Sequence, residues 1–398
     1  MLKRFLGSAA ALAVALSALP ATATADSLDR AVARDLRFAA HQLKRTLAET
    51  PVNRYPRETG RGGRWKSDSF NSWTAGFFPG TLWLMYEATG NRSWRKAAKA
   101  RQRGLERLKR NRRTHDLGFL LNDSFGQGYR LTGNDRFRRV VLRAARSLAK
   151  RYSPVVRAIR SLNNRLGADR TDFRVIIDNM MNLELLFWAS RHGGSHNLAS
   201  KALNHAFTTA REHLRPNASS YHLVTFDSRT GRVKRKRTIQ GYRDWSTWSR
   251  GQAWAVYGFT MAYRETLNGW MLVTARRAAD YYIDHLPRDR VPYWDFQAPG
   301  IPRAPRDSSA GAVAASGLLE LSELEIDPVR SRRYLKTAKR TLRSLSSKRY
   351  LARGTKKRSI LLHGTANERG GDYNRGLIYG DYYFLEALLR YRALPPGR

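Results

Sequence analysis

Asp178 carries a carboxyl group among apolar residues, a placement unusual enough to suggest a catalytic role. It lies beside a stripe formed by Ile177, Met181 and Leu185 at helical spacing. Burial disfavours the charged form of a carboxyl group and raises its pKa toward neutrality, which suits general acid or base catalysis. The structural alternative is a helix N-cap or a buried aspartate bound to backbone amides, and taken alone Asp178 fits that alternative better.

A second carboxyl group, Asp116, precedes another apolar segment of the chain. Trp73, Trp248 and Trp254 lie near the starts of predicted helices. Aromatic faces stack on sugar rings while paired carboxyl groups handle protons, so this composition is typical of a glycosidase site. The spacing alone is weak evidence, since any large helical protein carries acids on separate helices.

The elements that must position these residues are predicted to be helical hairpins in series. From Leu28 onward apolar residues recur three and four apart, and several segments end at similar breaks, such as 89–91 and 132–134. Gly and Asn at these breaks suit the left-handed end of a helix. Hairpins roughly 40 to 75 residues apart indicate a helical repeat, either an open solenoid or a closed toroid. Polar and aromatic residues at alternate helix starts favour the toroid, whose inner helices would line a funnel.

One interruption is predicted to be a small β-hairpin. Residues 221–226 and 232–240 form two β-runs around a turn. A hairpin centred near Arg229 places His222 and Gln240 toward its open end, where it joins the helical body. Both side chains could therefore reach the mouth of the funnel.

The charge of the chain predicts attraction to polyanions. The formal net charge is +41, from 73 Lys and Arg against 32 Asp and Glu. Such a surface attracts nucleic acid, acidic polysaccharide or anionic lipid in a salt-sensitive way. The basic residues are spread over 92–113, 232–237 and 330–358, apart from the aromatic clusters, which argues against a dedicated nucleic-acid module. Solvated helix faces and the steering of an acidic substrate both remain possible explanations.

The first residues predict export. A basic start, an apolar run over 9–19 and small residues up to Ala25 form the layout of a signal peptide, 1–25, cleaved near Ala25, for a periplasmic or secreted product. No other apolar run is long enough to cross a bilayer. The chain has no cysteine, and no linker divides residues 26–398, which we predict to be a single catalytic domain. The sequence leaves the oligomeric state open.

Seven segments occur along the chain in this order: WTAGFFPG at 73–80, HDLGF at 115–119, IDNMMNL at 177–183, WSRGQAWA at 248–255, YWDF at 293–296, PRDSSA at 305–310 and YGDYYFLEA at 379–387. Together they resemble the unsaturated glucuronyl hydrolases of glycoside hydrolase family 88. The resemblance implies an all-α (α/α)6 toroid. It also implies removal of a Δ4,5-unsaturated uronic acid from the non-reducing end of oligosaccharides left by polysaccharide lyases, through hydration of the C4=C5 vinyl ether.

The resemblance assigns roles to individual residues. Asp178 matches the general acid and base, and Asp116 matches the second acid that assists it. The remaining matches are substrate-binding positions: His222 and Gln240 near the sugar ring, Arg250 and Trp254 in a contacting motif, and Trp73, His115 and His363 as pocket positions in looser alignment.

Elementary physical chemistry agrees with these roles. Asp178 must be protonated for the first step, and an ionised Asp116 would raise its pKa by like-charge repulsion. Arg250 or His222 could bind the carboxylate of the substrate. The closely spaced His192 and His196 enclose two glycines, which disfavours a helical metal pair, so no metal or cofactor is predicted.

Two alternatives remain. A related unsaturated rhamnogalacturonyl hydrolase would share the toroid and the vinyl-ether chemistry, although the paired acids and the 293–310 region favour the glucuronyl enzymes. An exported helical protein could also bind acidic glycans or nucleic acid through its basic faces without turnover.

Overall fold

Paired helices build almost the whole protein, whose computed structural model describes residues 27–164 and 169–395. The α-helices are α1 Ser27–Glu49, α2 Phe77–Thr89, α3 Arg92–Gln102, α4 Gln127–Thr132, α5 Asp135–Ala149, α6 Asn179–Asn182, α7 Glu184–Arg191, α8 Asn197–His213, α9 Ser249–Thr266, α10 Gly269–Asp284, α11 Ser308–Leu324, α12 Pro328–Leu345 and α13 Ile378–Arg392. A 3-10 helix at Arg103–Arg110 extends α3, a π-helix at Gly118–Gly126 leads directly into α4, and a short 3-10 turn occupies Glu368–Gly370.

Within residues 27–164 and 169–395, six inner helical segments form a closed ring. In ring order they are α2, the π-helix with α4, α6 with α7, α9, α11 and α13, and α13 contacts α2 again. The outer layer consists of α1, α3, α5, α8, α10 and α12, with α1 packed against the last inner helix, α13. The predicted (α/α)6 toroid is therefore confirmed, and closure of the ring rules out the open solenoid.

Burial explains which helices lie inside. In α11 every residue from Ser308 to Leu319 is buried, whereas α5 alternates buried and exposed positions and carries arginines outward. A helix that is apolar on all sides must be surrounded by protein, while an amphipathic helix covers it from outside. Inner and outer helices alternate along the chain, so the inner helices run parallel and all begin at one end of the toroid.

The predicted reversals are confirmed at two hairpins. Gly90 and Gly133 end α2 and α4 at φ +67° and +63°, in the left-handed region that glycine adopts without strain. The asparagine that follows each glycine then caps the next helix, with Asn91 accepting from Ser93 N. Each reversal therefore needs only two residues.

Three small sheets interrupt the helices in the part of the chain that the structure describes. Strands β1 Tyr55–Thr59 and β2 Trp65–Asp68 pair, as do β3 Tyr152–Ser153 and β4 Ala158–Ile159, while β5 Asp172–Ile176, β6 Leu223–Asp227 and β7 Val233–Arg237 form a third sheet in the order β5-β6-β7. The predicted hairpin is β6 with β7. The structure adds β5, which pairs antiparallel with β6 and aligns the chain just before Asp178 with His222, since Ile177 N donates to His222 O at 3.0 Å.

Some predictions fall outside the described residues or remain untested. The signal peptide at 1–25 lies outside them, so export stays a prediction. One cluster of buried side chains extends from Leu28 to Tyr391, drawing on both layers of helices. Within 27–164 and 169–395, no helix is long and apolar enough to cross a membrane.

Candidate active site

Residues that precede the inner helices gather at one end of the toroid, because those helices run parallel. Asp178 directly precedes α6 and occupies its N-cap position, yet its side chain makes no capping hydrogen bond. Its Oδ2 is buried without a hydrogen-bond partner among the described residues. The side chain of Asp178 therefore does not cap α6, although a cap was the simpler explanation for this residue taken alone.

The surroundings of Asp178 raise its pKa, so the carboxyl group can hold a proton near neutral pH. The pKa of Asp178 is raised to about 7, mainly by burial and to a smaller extent by the negative charge of Asp116. The positive charge of Arg250 and the indole N–H of Trp254 act in the opposite direction. A carboxyl group with this pKa is partly protonated at pH 7 and can both give and take a proton.

Asp116 is held by its neighbours in sequence. Thr114 Oγ1 donates to Asp116 Oδ2 at 2.7 Å, and His115 Nε2 lies 3.3 Å from Asp116 Oδ1. The π-helix that follows packs closely on α6, because a Cβ at Gly118 would lie 2.7 Å from the Cα of Asn182. Glycine at this position therefore lets the start of the π-helix pack closely against the end of α6.

His222 is a neutral donor with a defined tautomer. Its Nδ1 accepts the backbone N–H groups of Ile239 at 3.2 Å and Gln240 at 3.3 Å, so the proton of the neutral ring is on Nε2. Burial lowers the pKa of His222 to about 3, and the charge of Arg250 contributes to this shift. Nε2 lies 3.6 Å from Asp178 Oδ2. The imidazole therefore presents an N–H beside the acid.

The guanidinium group of Arg250 is held by hydrogen bonds to other residues of the protein. Its Nη1 donates to Asp307 Oδ2 and to Thr365 O, each at 2.5 Å, and its Nη2 donates to Ala366 O at 2.9 Å. Both partners in the ion pair are almost fully buried. Arg250 thus fixes the loop at 365–366 over the inner helices, and it acts on the site through its charge, which lowers the pKa of Asp178.

Two of the three tryptophans considered for sugar contact, Trp73 and Trp254, differ in exposure. Trp254 has no exposed surface and packs on Phe119 and Tyr383 at 5.6 and 5.5 Å between ring centroids. Its face therefore cannot stack on a sugar, and its contribution is the N–H beside Asp178. Trp73 is only partly buried and packs on Tyr379 at 5.0 Å, which leaves part of its ring accessible.

The remaining predicted positions are Gln240, His115 and His363. Gln240 Nε2 donates to Ala366 O at 2.6 Å and so helps Arg250 to hold the same loop. His115 is buried, and burial lowers its pKa, so it supports Asp116 as a neutral ring. His363 lies on the outer side of that loop, where its Nδ1 is 3.1 Å from Asn374 Oδ1, and lines a separate cavity.

Sequence reasoning missed the partners that orient these groups. Trp248 stacks on the His222 ring at 4.5 Å. Asp307 caps α11 by accepting from Ser309 N and Ala310 N, and its other oxygen binds Arg250. Both residues lie in motifs that had been noticed, but a long-range ion pair leaves no local pattern in a sequence.

Asp295, in the YWDF motif, and His192 both have structural explanations. Asp295 is fully buried, and its carboxylate accepts from Tyr242 N, Ser246 Oγ and Gln297 N, so it is a satisfied packing residue. His192 stacks on Trp188 at 4.1 Å. In the part of the chain that the structure describes, no group of His, Asp and Glu side chains could hold a metal ion.

Comparison with known proteins shows the family to which this chain belongs. The family model described as Glycosyl Hydrolase Family 88 matches residues 44–386. An unsaturated glucuronyl hydrolase of Formosa agariphila is 43% identical over 323 residues, covering 80% of this chain and 79% of that protein. The chain belongs to glycoside hydrolase family 88. The prediction of a family 88 glycosidase is confirmed.

Other family 88 proteins extend the comparison. An unsaturated chondroitin disaccharide hydrolase of Streptococcus pyogenes is 35% identical, covering 80% of this chain and 81% of that protein. A crystal structure described as an unsaturated glucuronyl hydrolase specific for heparin superposes with a TM-score of 0.87 at 37% identity, over 91% of this chain and 97% of the other. The likeness therefore covers nearly all of the toroid.

Proposed function

We propose that this chain removes the Δ4,5-unsaturated uronic acid from the non-reducing end of lyase-generated oligosaccharides. The observation that carries the proposal is Asp178, a buried carboxyl group with a pKa of about 7 beside the N–H of neutral His222. Chondroitin and heparin occur in the names of two relatives, so we infer glycosaminoglycan fragments as the substrates.

The proposed reaction is hydration followed by ring opening. Protonated Asp178 gives its proton to C4, and the positive charge that develops at C5 is shared with the ring oxygen. Water adds at C5 and returns one proton to Asp178. The resulting hemiketal opens by breaking the bond between C5 and the ring oxygen, which leaves a ketone at C5. The hemiacetal at C1 then expels the rest of the saccharide as an alcohol, so one water is consumed for each cleavage.

The other groups have supporting roles in this proposal. Asp116 raises the pKa of Asp178 and places negative charge near the developing cation. The Nε2–H of His222 is a donor for an oxygen of the bound uronate. The inner helices direct their N-terminal ends, which carry partial positive charge, toward the same region, and this favours the carboxylate of the substrate.

A spectroscopic assay tests the proposed function. The conjugated C=C of an unsaturated uronate absorbs in the ultraviolet, so we expect the purified protein to abolish this absorbance on lyase-derived chondroitin or heparin disaccharides. The same disaccharides after chemical reduction of the double bond serve as the control and should not be cleaved. Salt-dependent binding to heparin with unchanged absorbance on every disaccharide would instead support a polyanion-binding protein without turnover.

The pH profile tests the pairing of the two acids. Because Asp178 must be protonated for the first step, kcat/KM should decrease as pH rises through about 7. In Asp116→Asn the charge that raises the pKa of Asp178 is lost, so the decrease should begin at lower pH. Asp284→Asn, which removes one negative charge from the exposed outer helix α10, should leave the profile in place. If the pH profile does not move in Asp116→Asn, the charge of Asp116 does not raise the pKa of Asp178.

A further inference from the structure

A cavity, called the end cavity below, lies at the end of the toroid opposite the candidate active site. Its volume is about 280 Å³, close to the lower limit of roughly 300 Å³ for small-ligand sites. Charged side chains from the last turns of four inner helices line it: Glu87, Arg130, Arg264 and Arg390. Trp254, whose N–H lies beside Asp178, packs on Tyr383 of the cavity wall. The Trp254 ring therefore lies between the end cavity and the proton-transfer site.

The three arginines of the end cavity are already paired with acids. The hydrogen-bonded pairs, at 2.5 to 2.9 Å, are Arg264 with Glu184, Arg130 with Glu87 and Arg390 with Glu320. An anionic ligand would have to break one of these pairs before it could bind a guanidinium group. Arg130 is 47% exposed, so its pair with Glu87 lies at the opening through which a ligand can enter.

Two polar groups on the wall of the end cavity have no partner within residues 27–164 and 169–395. The carboxyl group of Asp123 makes no hydrogen bond or ion pair with these residues, and its Oδ2 is buried. The hydroxyl group of Tyr383 makes no hydrogen bond with them either, although this side chain is only 2% exposed. Because buried polar groups are normally hydrogen-bonded, we expect a molecule inside the cavity to bind both.

The charges around the end cavity favour a cation. Its lining carries four acids, Glu87, Asp123, Glu184 and Glu386, against three arginines. Burial and the negative charges of Glu184 and Glu386 raise the pKa of Asp123 well above its ordinary value. The C-terminal ends of the inner helices add partial negative charge at the same end of the toroid. In a chain with a net charge of +41, the lining of this cavity thus has an excess of acid.

The remaining lining suits an organic cation better than a metal ion. No group of His, Asp and Glu side chains in the described part of the chain could hold a metal ion, so the acids of the end cavity do not converge on one point. Apolar and aromatic side chains complete its wall: Leu84, Met181, Tyr257, Tyr382 and Leu389. The faces of tyrosine rings attract an ammonium group, and apolar side chains favour contact with a short carbon chain.

We propose that the end cavity binds a small primary amine in its ammonium form. The ammonium group donates to Asp123 and Tyr383, which gives both polar groups a partner, and its single positive charge balances the excess of one acid in the lining. The carbon chain packs on Leu84, Met181 and Leu389. This site is separate from the proposed hydrolysis, since its lining contains no residue assigned to proton transfer.

Calorimetric titration of the purified protein with n-butylammonium chloride tests the proposal, and 1-butanol is the neutral ligand of the same length. At neutral pH and constant ionic strength we expect saturable binding of n-butylammonium and none of 1-butanol. The dissociation constant should rise about tenfold in Asp123→Asn, which loses a hydrogen bond to a charged group, and about threefold in Tyr383→Phe. Asp284→Asn, which removes one acid from the exposed face of α10, is the matched control and should bind like the wild type.

Binding to Asp178→Asn distinguishes the end cavity from the funnel. Because the two sites are separate, this variant should bind n-butylammonium as tightly as the wild type, and the amine should leave KM for an unsaturated disaccharide unchanged. Loss of binding in Asp178→Asn, or a competitive rise in KM, would place the amine in the funnel and overturn the proposal.

Three further results would also contradict it: no saturable binding of n-butylammonium, equal binding of 1-butanol, or an equal loss of affinity in Asp123→Asn and Asp284→Asn. If Asp123→Asn does not fold, Tyr383→Phe decides, and an unchanged dissociation constant in that variant would overturn the site.

Discussion

Asp178→Asn is expected to lose turnover by several orders of magnitude while keeping the fold. General acid and base roles alone contribute about 10² to 10⁴ in rate, and asparagine cannot deliver a proton to C4. The substitution nearly preserves shape, and the carboxyl group it replaces has a buried oxygen without a partner. The urea midpoint should therefore not decrease. The measurements are loss of ultraviolet absorbance on an unsaturated disaccharide and equilibrium unfolding in urea.

Asp381 offers a matched control in another inner helix. It is also buried, and burial raises its pKa to about 8, but its oxygens accept from Ile360 N and Leu361 N at 2.8 and 2.9 Å. Asp381→Asn replaces one of these acceptors with a donor, so stability should fall and kcat should persist in the folded fraction. Asp178→Asn should show the reverse pattern. Near-normal kcat in Asp178→Asn would remove this residue from the mechanism.

Arg250→Met is expected to cause the largest loss of stability among the site variants. It leaves Asp307 buried without its cation and deprives the carbonyls of Thr365 and Ala366 of their donor. Removing one partner of a buried ion pair costs about 3–5 kcal/mol. Urea unfolding should show this decrease in the free energy of unfolding, and the pH limb of residual activity should move upward, because the charge of Arg250 lowers the pKa of Asp178.

A double variant separates the ion pair from general damage. Arg250→Met/Asp307→Asn removes the charge that Arg250→Met leaves unpaired, so it should recover part of the lost stability. If the double variant loses more free energy of unfolding than the two single variants lose together, this explanation is wrong. So would an Arg250→Met protein within about 1 kcal/mol of the wild type, since that is the size of an exposed pair.

Local patterns predicted the helical hairpins because helix ends depend on nearby residues. Gly90 and Gly133 adopt the left-handed geometry that their positions suggested. The third compared break differs in detail: Leu267 takes the left-handed position at φ +52°, and Asn268 caps the next helix. Tertiary packing of α9 against α10 evidently outweighs the preference of that position for glycine.

Strand β5 was not predicted from the sequence, because its pairing depends on a distant part of the chain. The apolar residues Val175, Ile176 and Ile177 lead directly into the helix that follows, so periodicity alone assigned Ile177 to a helical stripe. Strand β5 forms because β6, about fifty positions later in the chain, offers it a partner. This pairing is also what brings His222 beside Asp178.

The amino-acid sequence by itself determined the family, the paired helices and the two acids, because these depend on ordered motifs and short-range periodicity. Only the tertiary structure decided how Asp178 is used. Whether it caps a helix, which tautomer His222 adopts and what Arg250 binds all depend on contacts between segments far apart in the chain, as in the 115-residue separation of Arg250 and Thr365. Burial and charge at such contacts exist only after the ring of helices has closed, and they set the pKa of Asp178 to about 7.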